Sequence, residues 1–184
     1  MLPVFVKRLF SVSFLLAVLA ILVWLVYEIL KPEILAVGSI MPELSYIGSK
    51  GKPRKLITEG FNNKIVILFD RNCEHCEYQL NQFNEHVNQF KNTNIYLLTT
   101  ENRFFEIDGM SKWPALADSE NFHWGVVDKN EFKSKFGMTV IPQFFFFDKN
   151  SKLHHKIRGE VRIEKVLKIL KNHGGPERRV SGYN

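Results

Sequence analysis

Residues 65–87, IVILFDRNCEHCEYQLNQFNEHV, decide the fold of this chain. Ile65, Val66, Ile67, Leu68 and Phe69 form a continuous, largely β-branched apolar run, the composition of a strand buried on both faces. From Cys76 onward, apolar residues recur at Leu80, Phe83, Val87 and Phe90, the spacing of a helix that lays one stripe on a sheet. Between strand and helix lie the only two cysteines, Cys73 and Cys76, spaced C-x-x-C, so any thiol chemistry is confined here. Cys76 shares the apolar stripe and is expected to be the more buried sulfur. Cys73 falls at the helix N-terminus, where unpaired N–H groups and the positive dipole end favour a thiolate, which makes it the candidate nucleophile and Cys76 the resolving thiol. The two residues between them oppose each other. A protonated His75 would stabilise the Cys73 thiolate, whereas Glu74 carries a charge that disfavours it.

Three other uses of the pair compete with redox chemistry. A structural zinc site needs two further ligands, and there is no second C-x-x-C and no H-x3-H partner. Copper delivery would recruit a distant histidine such as His123, His154 or His155. Two inert cysteines would be ordinary core packing, but a helix N-terminus after a buried strand is where reactive thiols occur. The expectation is a redox-active Cys73–Cys76 disulfide with no metal and no other cofactor.

With 184 residues, 45% of them apolar and 13% aromatic, the chain can build one sizeable domain and a small appendage. Its net charge of +6 is scattered among acidic residues, without the aromatic-interleaved basic stripe of a nucleic-acid surface. Residues 9–27, LFSVSFLLAVLAILVWLVY, carry no charge and are long enough to cross a bilayer as a helix. Lys7 and Arg8 precede this run and Glu28, Lys31 and Glu33 follow it, which places residues 1–8 in the cytoplasm and the remainder outside. Trp24 and Tyr27 sit near its outer end. An uncleaved anchor is favoured over a signal peptide removed near Ala36, Val37 and Gly38. Residues 28–39, with Pro32 ending the helix, read as a tether, 40–172 as the folded domain and 173–184 as a flexible tail.

Within the domain, residues 41–57 fit an opening hairpin around a Gly48–Pro53 turn or an extended entry segment. Residues 94–100, NIYLLTT, are a second buried strand, so strand, helix, strand reads as a right-handed βαβ unit with a parallel sheet. Residues 102–107 fit a short helix, Trp113-Pro114 a turn, 122–127 a strand, and 129–136 a short helix closed by Gly137. Pro142 opens a strand containing four consecutive phenylalanines, a position at which a sheet tolerates proline. Residues 148–151 form a hairpin turn, and 152–158 return antiparallel with one of His154 and His155 facing solvent. Val161, Val166, Leu167 and Leu170 mark a closing amphipathic helix.

C-x-x-C at a strand-to-helix junction, followed by Val140-Ile141-Pro142 before a strand, hairpin and helix, resembles the thioredoxin fold over about residues 40–172. The resemblance implies an α/β domain with a central mixed sheet flanked by helices, here with one N-terminal transmembrane helix. It also implies a cis proline at Pro142, and an Ile141-Pro142 loop that packs against Cys73 and Cys76 to shape a substrate groove. The material near residues 101–127 is similar to the insertion of TlpA-like and ResA-like proteins, membrane-anchored extracytoplasmic thiol-disulfide oxidoreductases. That implies protein thiols or disulfides as substrates and a membrane partner that recharges the pair at the bacterial cytoplasmic membrane. The chain departs from its relatives at Ile67, where thioredoxin has an acidic residue, and at Gln79, where ResA-like proteins have glutamate; Glu77 is the nearest carboxylate in sequence. A peroxiredoxin would need Pro and Thr where Val66 and Asp70 stand.

Overall fold

The computed structural model describes residues 4–30, 34–57, 60, 62–107, 109–137 and 140–174. The chain divides into two units, Met1–Glu33 and Ile34–Asn184. The first contains one helix, α1 (Val4–Leu30). Its described side chains, residues 13–27, are apolar around the whole circumference and all exposed. Among the described residues no helix is long and apolar enough to cross a membrane. Pro32 and the rest of 31–33 lie outside the described residues, as do tail residues 175–184.

The second unit holds a seven-stranded sheet in the order β2-β1-β5-β4-β3-β6-β7. Its strands are β1 (Ser45–Gly48), β2 (Pro53–Lys55), β3 (Asn63–Phe69), β4 (Thr93–Thr99), β5 (Phe122–Val126), β6 (Gln143–Phe147) and β7 (Leu153–Arg158). The helices are α2 (Glu74–Glu85), α3 (Pro114–Ala117), α4 (Lys129–Phe136) and α5 (Ile163–Gly174). β3, β4 and β5 run parallel, while β6 and β7 are antiparallel to their neighbours, as are β1 and β2. The sheet is therefore mixed, and the expected βαβ unit is β3-α2-β4.

Strand alternation sorts the core into two halves. Ile65, Ile67, Phe69, Phe144 and Phe146 pack with Cys76, Leu80 and Phe83 of α2 and with Val166 of α5. Val66, Leu68, Phe145 and Phe147 point the other way, onto Phe132 and Phe136 of α4. All four phenylalanines of β6 are fully buried, so neither face of this strand meets water. α4 begins on Asp128, whose carboxylate accepts the Glu131 N–H at 2.8 Å, and ends at Gly137, whose φ of 70° suits glycine.

Four expectations need correction. Residues 102–107 form successive turns rather than a helix. Phe104 is buried against Trp124 and Phe69, and a Cβ on Gly109 would approach the Phe104 ring to 2.5 Å, so core packing folds this stretch. Trp113-Pro114 opens α3, with proline at its first position, because Asn84 on α2 accepts the Ala115 and Leu116 N–H groups at 3.0 and 3.3 Å. The apolar stripe expected to run as one helix to Phe90 breaks at His86, whose ring Nδ1 donates to the Gln82 carbonyl; Val87–Phe90 continue as a 3-10 turn. The tether is shorter than expected. Leu35 is buried, Gly38 N–H donates to Leu153 O at 2.7 Å, and Lys156 Nζ donates to Leu35 O at 2.7 Å, so residues 34–39 belong to the folded unit.

Candidate active site

β3 delivers the chain to the C-terminal edge of the sheet, where Asp70, Arg71 and Asn72 turn it into α2. Asp70 fixes the turn, its carboxylate accepting Asn72 N–H at 2.8 Å and its carbonyl accepting Cys73 N–H at 3.3 Å. Cys73 occupies the N-cap of α2 in extended geometry, and its sulfur accepts the Cys76 N–H at 3.3 Å. The same N–H also donates to Cys73 O at 3.0 Å, so the sulfur shares a first-turn donor with the main chain in place of the usual capping oxygen. Both cysteines are free; Cys73 is partly accessible and Cys76 fully buried, as their helical phase predicted.

Burial pushes the Cys76 thiol up to about 12, and its hydrogen bond with Cys73 acts in the same direction. A backbone hydrogen bond at Asp70 opposes these two causes, and the charges of Cys73 and Asp70 add smaller contributions in the raising direction. The two sulfurs are therefore different reagents, one partly accessible on a helix terminus and one held as a neutral thiol.

Ile141-Pro142 reaches the same place from β6. Leu68 pairs with Gln143, so the residues just before β6 lie at the sheet edge from which the cysteine turn emerges. The Ile141–Pro142 peptide bond is cis, and Ile141 packs against the core cluster that Cys73 also borders. Pro142 O accepts Gly159 N–H at 2.8 Å. The sequence-derived site residues Cys73, Cys76, Ile141 and Pro142 thus converge at one edge.

Glu74 and His75 sit on the exposed first turn of α2. His75 Nδ1 lies 2.9 Å from Glu160 Oε2, a partner 85 residues away that nothing in the sequence indicated. The loop that carries Glu160 holds α2 a second time, with Val161 N–H donating to Gln79 Oε1 at 2.8 Å. Gln79 is 1% exposed, and its Nε2 is buried without a hydrogen-bond partner. Glu77 is turned outward and held by Lys112 Nζ at 3.1 Å from both carboxylate oxygens. Arg71 reaches Glu101 at 3.5 Å.

The histidines weighed as copper ligands are elsewhere. His123 packs on Tyr96 at 4.9 Å between ring centroids, in the half of the core across the sheet from Cys76; burial, with a contribution from the Arg54 charge, pushes its pKa down. His154 and His155 both lie half-buried near Phe146 on β7. Among the described residues no group of three or more His, Cys, Asp or Glu could hold a metal ion.

The family model of the thioredoxin-like domain matches residues 49–174. Among solved structures, a thiol:disulfide interchange protein from Bacteroides sp. superposes with a TM-score of 0.62 at 19% identity, over 81% of this chain and 97% of that one. A peroxiredoxin-like protein from Aquifex aeolicus gives 0.62 at 15% identity, over 77% and 88% of the two chains. StoA from Bacillus subtilis gives 0.54 at 13%, over 70% and 96%. No curated protein matches. At these identities the structural likeness speaks for the fold; the family match spans well over half of the chain and includes both cysteines and Pro142. The chain therefore belongs to the thioredoxin-like family.

Proposed function

We propose that this protein is a thiol-disulfide oxidoreductase, held at the bacterial cytoplasmic membrane by residues 9–27 with its domain on the extracytoplasmic side. The observation that carries the redox reading is the asymmetry of the two sulfurs beside a cis proline. Cys73 is a partly accessible sulfur capping a helix, and Cys76 is a buried thiol one turn away.

In the reductive direction, the Cys73 thiolate attacks one sulfur of a substrate disulfide. The first substrate thiolate leaves, and a mixed disulfide joins Cys73 to the second. Cys76 then loses its proton and attacks the Cys73 sulfur, forming the Cys73–Cys76 disulfide and expelling the second substrate thiolate. Two electrons have passed to the substrate. With no third cysteine in the sequence, a separate protein, a membrane neighbour in this reading, must return two electrons.

The electrostatics favour a reductase. A strong oxidant needs a stabilised reduced form, yet here Asp70 precedes the pair in the turn, Glu74 lies between the cysteines in sequence, Arg71 is engaged by Glu101, and the intervening His75 is bound by the Glu160 carboxylate. A protein substrate would lie along the Ile141-Pro142 loop. The deciding measurement is the reduction potential of the full chain in glutathione buffers: a value near thioredoxin's roughly −270 mV supports the reductase, and one near roughly −120 mV reverses the direction. If no disulfide forms at any poise, the redox reading fails altogether.

A further inference from the structure

At the end of the sheet opposite Cys73, where β3 and β4 begin, the surface folds into a cavity of about 780 Å³. That volume is in the range of ordinary small-molecule sites. Its walls come from the residues around the starts of β3 and β4, the β6–β7 turn and one flank of α5. Among the described lining residues, Lys91, Lys149 and Lys171 are cationic and none is a carboxylate; carboxamides and one threonine make up the remaining polar wall. Leu167 and Leu170 supply one apolar side.

A second, independent feature lies behind this wall. Lys64 of β3 is fully buried, and its ammonium donates to the carbonyls of Asn62 and Lys149, two residues that line the cavity, at 3.2 and 3.4 Å. The neighbouring acid, Asp148, has its Oδ1 engaged by the N–H groups of Asn150 and Lys152 at 2.9 and 2.8 Å. Burial works against the charge of Lys64 and the nearby Asp148 carboxylate works for it, so the positive field at the cavity is chiefly that of Lys91, Lys149 and Lys171 on its wall, which a concave surface focuses. Lysine ammonium groups are point charges suited to phosphate and carboxylate oxygens.

We propose that this cavity binds a small polyanion, bearing phosphate or several carboxylate groups, with its carbon skeleton against Leu167 and Leu170. The site is separate from the dithiol, since seven residues of β3 place it roughly 20 Å away, and it does not depend on the redox reading.

The test is calorimetric titration of inorganic pyrophosphate and, separately, of citrate into the full chain in a neutral detergent at low salt. Saturable one-site binding of at least one probe is expected, weakening as salt rises. The exposed pair Lys91→Ala/Lys171→Ala should weaken it at least tenfold and leave the far-ultraviolet circular dichroism and the reduction potential of the cysteines unchanged. Lys129→Ala/Lys133→Ala, which removes the same charge from α4, should retain it. Failure of both probes to saturate by millimolar concentration, or equal loss in the two double variants, would overturn the proposal.

Discussion

The clearest consequence of the site's geometry is kinetic: the second half of the exchange should be slow at neutral pH and should accelerate steadily with pH. At pH 7 an ordinary thiol near 8.5 is roughly 3% thiolate, whereas one near 12 is ionised to about one part in 100,000, a deficit of about 3,000-fold. A more basic thiolate is intrinsically more nucleophilic, and a Brønsted slope of about 0.4–0.5 returns roughly 40-fold, leaving a net slowing of roughly a hundredfold. This is an upper figure, because the charge on Cys73 disappears once its sulfur is in a mixed disulfide. Burial, the largest cause of the shift, remains. Mixing the reduced full chain with an aromatic disulfide that releases a coloured thiolate separates the steps: Cys73 releases the first equivalent, and attack by Cys76 the second. The second phase should rise close to tenfold per pH unit between about pH 6 and 9, and Cys76→Ser should abolish it. A second phase that levels off in that range, or ignores pH, would show that Cys76 is not held as a buried neutral thiol.

Other consequences follow from the same coordinates. Because the folded thiol binds its proton more tightly than the unfolded one, the stability that Cys76 contributes to the reduced protein is fully present below about pH 8.5 and is lost as pH rises toward 12, at about 1.4 kcal/mol per pH unit. In denaturant melts the stability advantage of wild type over Cys76→Ala should therefore shrink as pH rises above about 8.5, and a constant difference would contradict the assignment. Glu160→Gln should change stability by less than about 1 kcal/mol, because the pair with His75 is exposed. Its effect on the reduction potential should nonetheless fail to add to that of His75→Ala, by on the order of 10 mV; strict additivity would mean the contact has no bearing on the cysteines. Gly125→Ala places a Cβ 2.3 Å from Tyr46 Cδ2 and 3.1 Å from Leu98 Cδ2. Overpacking of this kind costs about 1–3 kcal/mol, read as a lowered denaturation midpoint. Asn121→Ala removes two 2.8 Å hydrogen bonds to the carbonyls of Phe90 and Thr93, and about 1–3 kcal/mol should go with them.

What was legible in the sequence was whatever short-range pattern determines. The continuous burial of Ile65–Phe69 and of the four phenylalanines, the helical phase of Leu80 and Phe83, the Gly137 stop, and the cysteine turn all depend on residues a few positions apart. The stretch 102–113 depends instead on partners far along the chain. Its backbone follows Phe104 into the Trp124 and Phe69 rings, and Trp113 donates to Asn81 at 2.8 Å, so local propensity was overridden by packing. The same limit applied at the site. Cys73, Cys76, Ile141 and Pro142 announce themselves by motif, but Glu160 is one acidic residue among nineteen.

Only the fold identifies Glu160. Residues 159–161 touch all three parts of the site in succession: Gly159 bonds Pro142, Glu160 bonds His75 and Val161 bonds Gln79. Of the three contacts, that of Gln79 is the one sealed from water, and there a neutral amide stands in the helical turn after the buried thiol. An amide can receive the Val161 N–H but cannot take the Cys76 proton at physiological pH. Gln79 therefore fixes the distance between α2 and the loop while leaving Cys76 without a base at that position. Burial holds Cys76 as a neutral thiol, and Gln79, which sets the spacing of helix and loop, offers no base to offset it.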